Sequence, residues 1–540
     1  MGYKVTMTFI CLFLCSVLHY GAGQAASRTG NADAKEETVS GQEDATGKTA
    51  GQILEEALES KDFEGASVSI LAVTGAGDTL LRHDSDRLLI PASNMKLVTT
   101  ALALHSLGGD YRHETRLGYS GHISDGILDG DLYIIGGGDP TLGSRNRIAM
   151  PADTLFSRLG KMLRRAGIAE IRGHIIGDGR FFSGMDEHPT WELCDAGTYY
   201  GTGVSGLSFY ENVQDLKVSA GVSPGDPVNI SPGYPESPWL TILNSAVTGK
   251  AGTGNTLYFY PGGFAPTGEM RGSYAVDRNP KTEYAANKFP EYTIAWHFTR
   301  YLAGHGITCT GGPADLGPVF RPGKGEPGQY GSGTARQDVS GISREWQPVD
   351  QDSIRILGSI LSPTLAEIAR ETNTDSNNLY AETLFKTLGK EYCGSGCYDS
   401  AYVAVKGLLD ETGVRGYRCR IQDGSGLSRE NLLSAGFFCC LLEKMMASPS
   451  FEDFFNSLPW PGGEGTLEYS MSSVPAGTRE RIRMKSGSMG GVRCFSGYIL
   501  PVSGTKEDCV IFSILVNGCT VPTVRIQRHL FRIIESLASE

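Results

Sequence analysis

Ser93 and Lys96 stand three residues apart in PASNMKLVTTALALHSL, an apolar stretch without a charged neighbour other than the lysine itself. On a helix that spacing sets two side chains on one face, side by side. A serine hydroxyl is a weak nucleophile until a neighbour takes its proton. A lysine held in a desolvated, apolar site can lose its charge and do so. The backbone N–H groups at a helix start favour negative charge developing there. Alone, the pattern is weak, because two fixed positions in four recur by chance in long chains; its plain alternative is a capped helix with a solvated lysine. Two more patterns offer chemistry of the same kind. In TNTDSNNLYAE, Ser376 can pass a proton and Asn378 can hydrogen-bond a substrate amide, or both simply serve a helix cap. In RIRMKSGSMGG, Lys485 adds positive charge, Ser486 offers a hydroxyl to a carboxylate, and Gly487 lets a substrate backbone lie close. In isolation that third stretch reads as a strand end with a turn.

These residues need a frame. Pro91 fixes one backbone angle just ahead of the first pattern, and residues 94–107, rich in Leu, Ala and Thr without Gly or Pro, predict a buried helix. Residues 52–61 read as a short amphipathic helix. Residues 66–73 and 79–82, joined by Gly-rich turn residues, predict a β-hairpin. From about 113 to 339 the texture changes to short strands, among them 126–135, 171–178 and 256–260, with one helix at 152–166 and a Gly/Pro-rich exit over 311–334. Helices are expected again at 361–373, 378–389, 398–412 and 431–447. Strands follow at 481–484, 497–501 and 509–516. Ile526, Leu530, Ile533 and Leu537 then make one apolar helical stripe. A hairpin first and strands last predict a sheet assembled from both chain ends, with a helical subdomain beside it. The expected organisation is a catalytic domain of residues 51–112 and 340–540, interrupted by a β-rich insert, 113–339, of one or two small domains.

The chain has 540 residues and a formal charge of −12, which argues against nucleic acid as a partner. Lys4, an apolar run to about Leu18 and the small residues of GAGQAA read as an export signal over residues 1–25, followed by a disordered linker over 26–50. The apolar run is too short for a convincing spanning helix, and no later stretch is long enough. Of twelve cysteines, Cys11 and Cys15 fall in the signal. The other ten would enter an oxidising compartment, where disulfides form; Cys393 and Cys397 are near enough for a local bridge, although pairing does not follow from sequence. Cys439 and Cys440 read as buried free thiols. No Cys/His group has zinc spacing and there is no H-E-x-x-H, so neither a metal nor another cofactor is expected.

Together the three patterns stand in the order S-x-x-K, S-x-N, K-[ST]-G found in penicillin-binding proteins and serine β-lactamases. Over nearly all its length from about Ile53, the chain resembles a class C low-molecular-mass penicillin-binding protein, the D-alanyl-D-alanine carboxypeptidase/endopeptidase family S13. DLYIIGGGDP (131–140), WELCDAGTYYGTGVSGLSFYEN (191–212), DGSGLS (423–428) and SGY (496–498) add to the likeness, as does the long insert between the first two patterns. Ser486 stands where Thr is usual and keeps the hydroxyl; Asn377 fills a variable position. The resemblance implies an α/β (α+β) fold, with a β-lactamase/DD-peptidase-like domain of antiparallel sheet plus helical subdomain, and the β-rich insert.

The resemblance also implies roles. Ser93 would attack the carbonyl between two D-alanines, and Lys96 would take its proton. Ser376 would relay a proton to the leaving amine, Asn378 would hold the substrate amide, and Lys485 would stabilise charge. Ser486 and Ser488, with Gly487 between them, would bind the terminal carboxylate. The N–H groups of Ser93 and Ser488 would form an oxyanion hole. From the insert, Trp191, Asp195 and Tyr199 or Tyr200 are candidates to meet the free amino group of a peptidoglycan stem peptide; as plain alternative, Trp191 and the tyrosines are insert core. Partners implied are stem peptides and β-lactam antibiotics, in a periplasmic or exported setting. A serine β-lactamase shares the fold, but no segment stands out as its deacylating base. A non-catalytic penicillin-binding sensor or scaffold would have been free to lose Ser93, Lys96, Ser376, Asn378 or Lys485, all of which are present.

Overall fold

Strand Ser67–Thr74 sends Val68, Ile70 and Ala72 to one side and Leu71 and Val73 to the other, the period of two expected of a strand buried on both faces. In the computed structural model, which describes residues 47–261, 267–316 and 351–539, this strand is the second of a five-stranded antiparallel sheet. The order is Thr79–His83, Ser67–Thr74, Val510–Asn517, Val492–Ile499, Ile482–Met489. The sheet is therefore built from both chain ends, and the strand last in sequence lies at its centre. One face is covered by helices Ala50–Glu59 and Thr523–Ser539, whose Ile53, Leu54, Ile526, Leu530 and Ile533 pack on Ile70, Phe512 and Ile514. The expected apolar stripe of the last helix is this packing face.

The opposite face carries the helical part of the molecule. Helix Met95–Leu107 is buried all round over residues 95–104, which suits a segment without a polar face. Against it pack Leu365–Thr374, Asn378–Cys393 and Tyr398–Glu411, together with Ala435–Met446 and Phe451–Ser457. Each fully buried Leu or Phe in this cluster contributes about 1.5–3 kcal/mol. Local chemistry fixes the ends. Thr364 and Glu367 form a reciprocal capping box, Asn377 and Ser434 cap the helices after them, and Gly394 closes Asn378–Cys393 at φ 75°.

Among its described residues the insert contains two large apolar cores, besides a small cluster of Tyr133, Ile135, Ile176, Ala314 and Ile354. One gathers Leu117, Ile134, Leu159, Ile294 and Phe298, and the other Leu216, Val218, Phe259, Met270 and Tyr274. The first lies under a five-stranded sheet ordered Pro313–Leu316, Ile175–Asp178, Leu132–Ile135, Glu114–Tyr119, Arg355–Leu361. Two of its elements depart from expectation. Pro290–Gly304, in a region read as strands, is a helix opened by a proline in its first turn. Arg355–Leu361 is a strand paired with Glu114–Tyr119, so the helix expected from 361 starts at Leu365, after Pro363 and the Thr364 cap. The helix expected from 431 likewise starts at Ala435, because Leu432 and Leu433 bridge to Arg420 and Leu89.

The expected signal segment, most of the linker and residues 317–334 of the Gly/Pro-rich exit lie outside the described residues. The ten described cysteines are all free thiols. Cys439 is buried and Cys440 half-buried, while Cys393 and Cys397 both lie against Ser400 without being joined. No helix among the described residues is long and apolar enough to cross a membrane.

Candidate active site

Ser93 sits in a single 3₁₀ turn, Ala92–Asn94, that runs directly into helix Met95–Leu107. Ala92 has φ 46°, a left-handed conformation uncommon for a residue with a side chain. Two glycines press on this turn. A Cβ on Gly487 would lie 2.6 Å from the carbonyl oxygen of Pro91, and one on Gly426 would lie 1.9 Å from that of Ala92. Asn94 ties the turn to the sheet by donating from Nδ2 to Ser496 Oγ at 2.7 Å, and Ser496 meets Ser513 Oγ at 2.8 Å on the central strand. The serine is thus held on a backbone that the surrounding structure over-determines.

Lys96 is fully buried and makes three hydrogen bonds. Its Nζ donates to Ser93 Oγ at 3.1 Å, to Asn378 Oδ1 at 2.7 Å and to the Ser425 carbonyl at 2.8 Å. The last two partners accept only. When the lysine is neutral they must take its two remaining N–H bonds, which leaves the nitrogen lone pair facing the Ser93 hydroxyl. Burial pulls Lys96 from its ordinary 10.5 down to about 7, against the opposing charges of Glu382 and Asp423. The amine can therefore be neutral near physiological pH and stands within reach of the proton it would remove.

The second and third patterns meet each other at the same site. Lys485 Nζ donates to Ser376 Oγ at 3.0 Å and to the carbonyl of Ser486 at 2.8 Å. Burial holds Lys485 well below the usual lysine range, and the charges of Lys96 and Arg493 push the same way. Ser376 has φ 58°, another left-handed residue at the site. Lys485 and Ser486 are buried, whereas Ser488 at the end of the strand is exposed. This edge strand, Ile482–Met489, carries Gly487 against the serine turn, and the bare backbone there is what allows the approach.

A loop that joins these parts carried no role in the sequence reading. Residues 423–428, DGSGLS, supply the Ser425 carbonyl that Lys96 uses. Two buried carboxylates hold the loop. Asp423 accepts from the N–H of Gly426 at 2.9 Å and of Ser428 at 2.6 Å, and from Asn431 Nδ2 at 2.8 Å. Glu382 accepts from Gly424 at 3.1 Å and Ser425 at 2.7 Å. The one sequence signal for Glu382 is its place four residues after Asn378, on the same face of one helix.

The insert reaches this loop. Trp191 donates its indole N–H to Asp423 Oδ2 at 2.8 Å, and Thr190 Oγ1 lies 2.5 Å from Ser428 Oγ. Asn378 Nδ2 donates to the backbone carbonyl of Tyr200 at 2.9 Å, so Tyr200 enters through its main chain. Asp195 lies one shell further out, where its carboxylate meets the Tyr200 hydroxyl; burial first, then Glu192, raises its pKa. Tyr199 is partly exposed and packs edge-on against Tyr200 and Tyr284.

The profile of the D-Ala-D-Ala carboxypeptidase 3 (S13) family matches residues 50–313 and 340–530. The chain belongs to this family. It is 30% identical over 483 residues to the D-alanyl-D-alanine carboxypeptidase of Actinomadura sp. strain R39, covering 86% of this chain and 80% of the relative. It is 23% identical over 497 residues to the D-alanyl-D-alanine carboxypeptidase DacB of Haemophilus influenzae, covering 88% and 92% of the two chains. The crystal structure of penicillin-binding protein 4 from the same organism shares the fold, with a TM-score of 0.73 at 20% identity over 90% of this chain and 98% of that one. The expectations of S13 membership, of a mixed α/β DD-peptidase fold and of a serine-type D-Ala-D-Ala carboxypeptidase hold.

Proposed function

We propose that Ser93 is the nucleophile of this S13 peptidase and that Lys96 is the base for its acylation. The observation that carries the reading is the set of partners around Lys96. Two acceptor-only oxygens leave the neutral amine a single direction for its lone pair, toward Ser93 Oγ at 3.1 Å. Ser93 adds to the carbonyl carbon of the penultimate D-alanine, and its proton passes to Lys96. The N–H groups of Ser93 and Ser488 serve as donors to the developing oxyanion, where one such donor supplies about 10²–10³ in rate. As the C–N bond breaks, Ser376 gives its proton to the leaving amine and is reprotonated by the one Lys96 took from Ser93, with Lys485 as its hydrogen-bonded neighbour. Water then attacks the ester, and the acid and the free serine are restored.

Asn378 orients the substrate amide with its remaining N–H. Ser486 and Ser488 bind the terminal carboxylate along the edge strand, with Gly487 permitting close approach. Trp191 and the main chain of Tyr200 border the site from the insert, with Asp195 behind Tyr200, and this side meets the stem peptide beyond the scissile bond. The substrates are peptidoglycan stem peptides, as free tails or cross-links. A β-lactam offers the same carbonyl inside a strained ring and acylates Ser93. Residues 1–25 act as an export signal, which places the enzyme in the periplasm or outside the cell. Residues 51–112 and the chain after Leu361 form the catalytic domain around the insert; strand Arg355–Leu361, expected in the catalytic part that begins at 340, pairs instead within the insert's sheet.

A paired assay tests this. The protein is incubated with a fluorescent penicillin and, separately, with a D-Ala-D-Ala-terminated muropeptide, with Ser93→Ala beside each. The wild type is expected to take the label and release D-alanine, and the variant to do neither. Turnover retained by Ser93→Ala refutes the assignment.

A further inference from the structure

Lys96 depends on two acceptors for its direction, and both trace to one helix. Asn378 offers its side-chain oxygen directly from the first turn of Asn378–Cys393. The other acceptor, the Ser425 carbonyl, sits on a loop, where a carbonyl has no ladder to hold it. Glu382, one turn further along the helix and fully buried, accepts the N–H groups of Gly424 and Ser425 on separate oxygens. From the other side, Thr99 Oγ1 of the serine-bearing helix donates to the Gly424 carbonyl at 2.7 Å. The peptide between Gly424 and Ser425 is thereby pinned at its C=O by one helix and at its N–H by the other. The next carbonyl along is the one Lys96 uses.

We propose that Glu382 is a positioning residue for the transfer of the Ser93 proton: it clamps residues 424–425 so that the Ser425 carbonyl fixes the orientation of Lys96. The inference rests on the assignment of Lys96 as base. Both oxygens of Glu382 act as acceptors from N–H, the arrangement of a carboxylate and not of an amide. A glutamine there would turn its NH₂ toward one of the two amides and leave that donor without an acceptor in a buried place. Glu382 also acts through charge. The ionisable groups facing Lys96 are Glu382, Asp423 and Lys485, and those around Glu382 are Lys96, Asp423 and Tyr398. Burial, then the charge of Asp423, pushes the Glu382 carboxyl up to about 8, while the N–H donors of Gly424 and Ser425 hold it down; in its ionised form it favours the protonated Lys96, so its removal lowers the pH at which the amine becomes neutral.

The test is the second-order rate of acylation by a fluorescent penicillin against pH, for the full-length protein and for Glu382→Gln, Glu382→Asp, Lys96→Ala and Leu384→Ala. Glu382→Gln is expected to lower the plateau roughly 10- to 100-fold, part of the 10²–10⁴ a positioned base supplies. It is also expected to move the acid limb to lower pH. Glu382→Asp keeps the charge but retracts it, and should fall between the two in rate with its limb at the wild-type pH. Leu384→Ala, a buried residue of the same helix, should lose thermal stability with its limb unmoved. A wild-type plateau in Glu382→Gln overturns the proposal, and so does a slower rate on an unmoved limb, which would reduce the residue to a structural one. Should Glu382→Gln fail to fold, Glu382→Asp decides by its plateau, wild-type speed refuting the clamp. Acylation at full rate by Lys96→Ala would instead end the assignment of the base, whatever Glu382 does.

Discussion

At the scale of single residues, a fully buried lysine beside the proposed nucleophile costs stability and supplies reactivity. Burial lowers Lys96 to about 7, so acylation is expected to rise with pH through about 7 as the amine becomes neutral, measured as penicillin-labelling rate in a series of buffers. The same shift has a stability consequence with a definite sign. In the unfolded chain Lys96 titrates near 10.5, so between about 7 and 10.5 the unfolded state binds more protons and stability rises with pH. Lys96→Met removes the penalty of burying a charge. It should raise the thermal midpoint at neutral and lower pH, with the gain fading toward pH 10, while labelling is lost. A midpoint unchanged across that range would contradict the burial argument. Ser93, Lys96, Ser376, Asn378 and Lys485 were legible because each lies in a short pattern and the three patterns stand in a known order. Glu382 was not. A lone glutamate in a helix ordinarily faces solvent, and only the fold shows that its face carries Asn378 toward a buried loop. The insert residues show a different limit: Trp191 and Tyr200 do border the site, but Tyr200 does so through a carbonyl, which every residue possesses and no side-chain pattern marks.

At the scale of elements, the geometry of the serine turn depends on what is missing beside it. Gly426 combines φ +84° with a Cβ position 1.9 Å from a backbone oxygen of Ala92. Gly426→Ala is therefore expected to displace the 423–428 loop, since neither backbone can yield as a flexible side chain would. The left-handed conformation alone costs about 1–2 kcal/mol. Labelling should fall by far more than the drop in denaturation midpoint implies, because the Ser425 carbonyl moves with the loop. Proportionate losses in both would argue that the site tolerates the shift. The hairpin, the nucleophile helix and the C-terminal stripe were readable from periodicity, which their burial on known faces enforces. Arg355–Leu361 was obscured because Ser362-Pro363 signals a helix start and drew the boundary too early. Pro290–Gly304 was hidden by its aromatic and β-branched content, PEYTIAWHFTRYLAG, which favours strands locally but packs Ile294 and Phe298 into the insert core as a helix.

At the scale of the whole molecule, the insert is fastened to the helical part by charge as well as by packing. Glu371, 1% exposed, receives Arg147 Nε at 2.8 Å and Asn146 Nδ2 at 3.0 Å, and Arg147 also pairs with Glu464. Arg147→Ala leaves the buried carboxylate with a weaker set of donors. It is expected to destabilise the protein by about 1–3 kcal/mol in urea titration, less than a fully buried pair would because the arginine is partly exposed. An unchanged midpoint would mean that the pairing contributes nothing net. The order of strands in the catalytic sheet carries a last consequence, for synthesis. Val510–Asn517 bridges the N-terminal hairpin to the strand pair that carries Lys485. While a ribosome is still making the chain, Ser93 exists long before its site does, and two apolar half-sheets wait with open edges for the strand that joins them. A chain cut short before Val510 should not be a weaker enzyme but an unlabelled and aggregation-prone one, so penicillin labelling reports not only a folded molecule but a finished one.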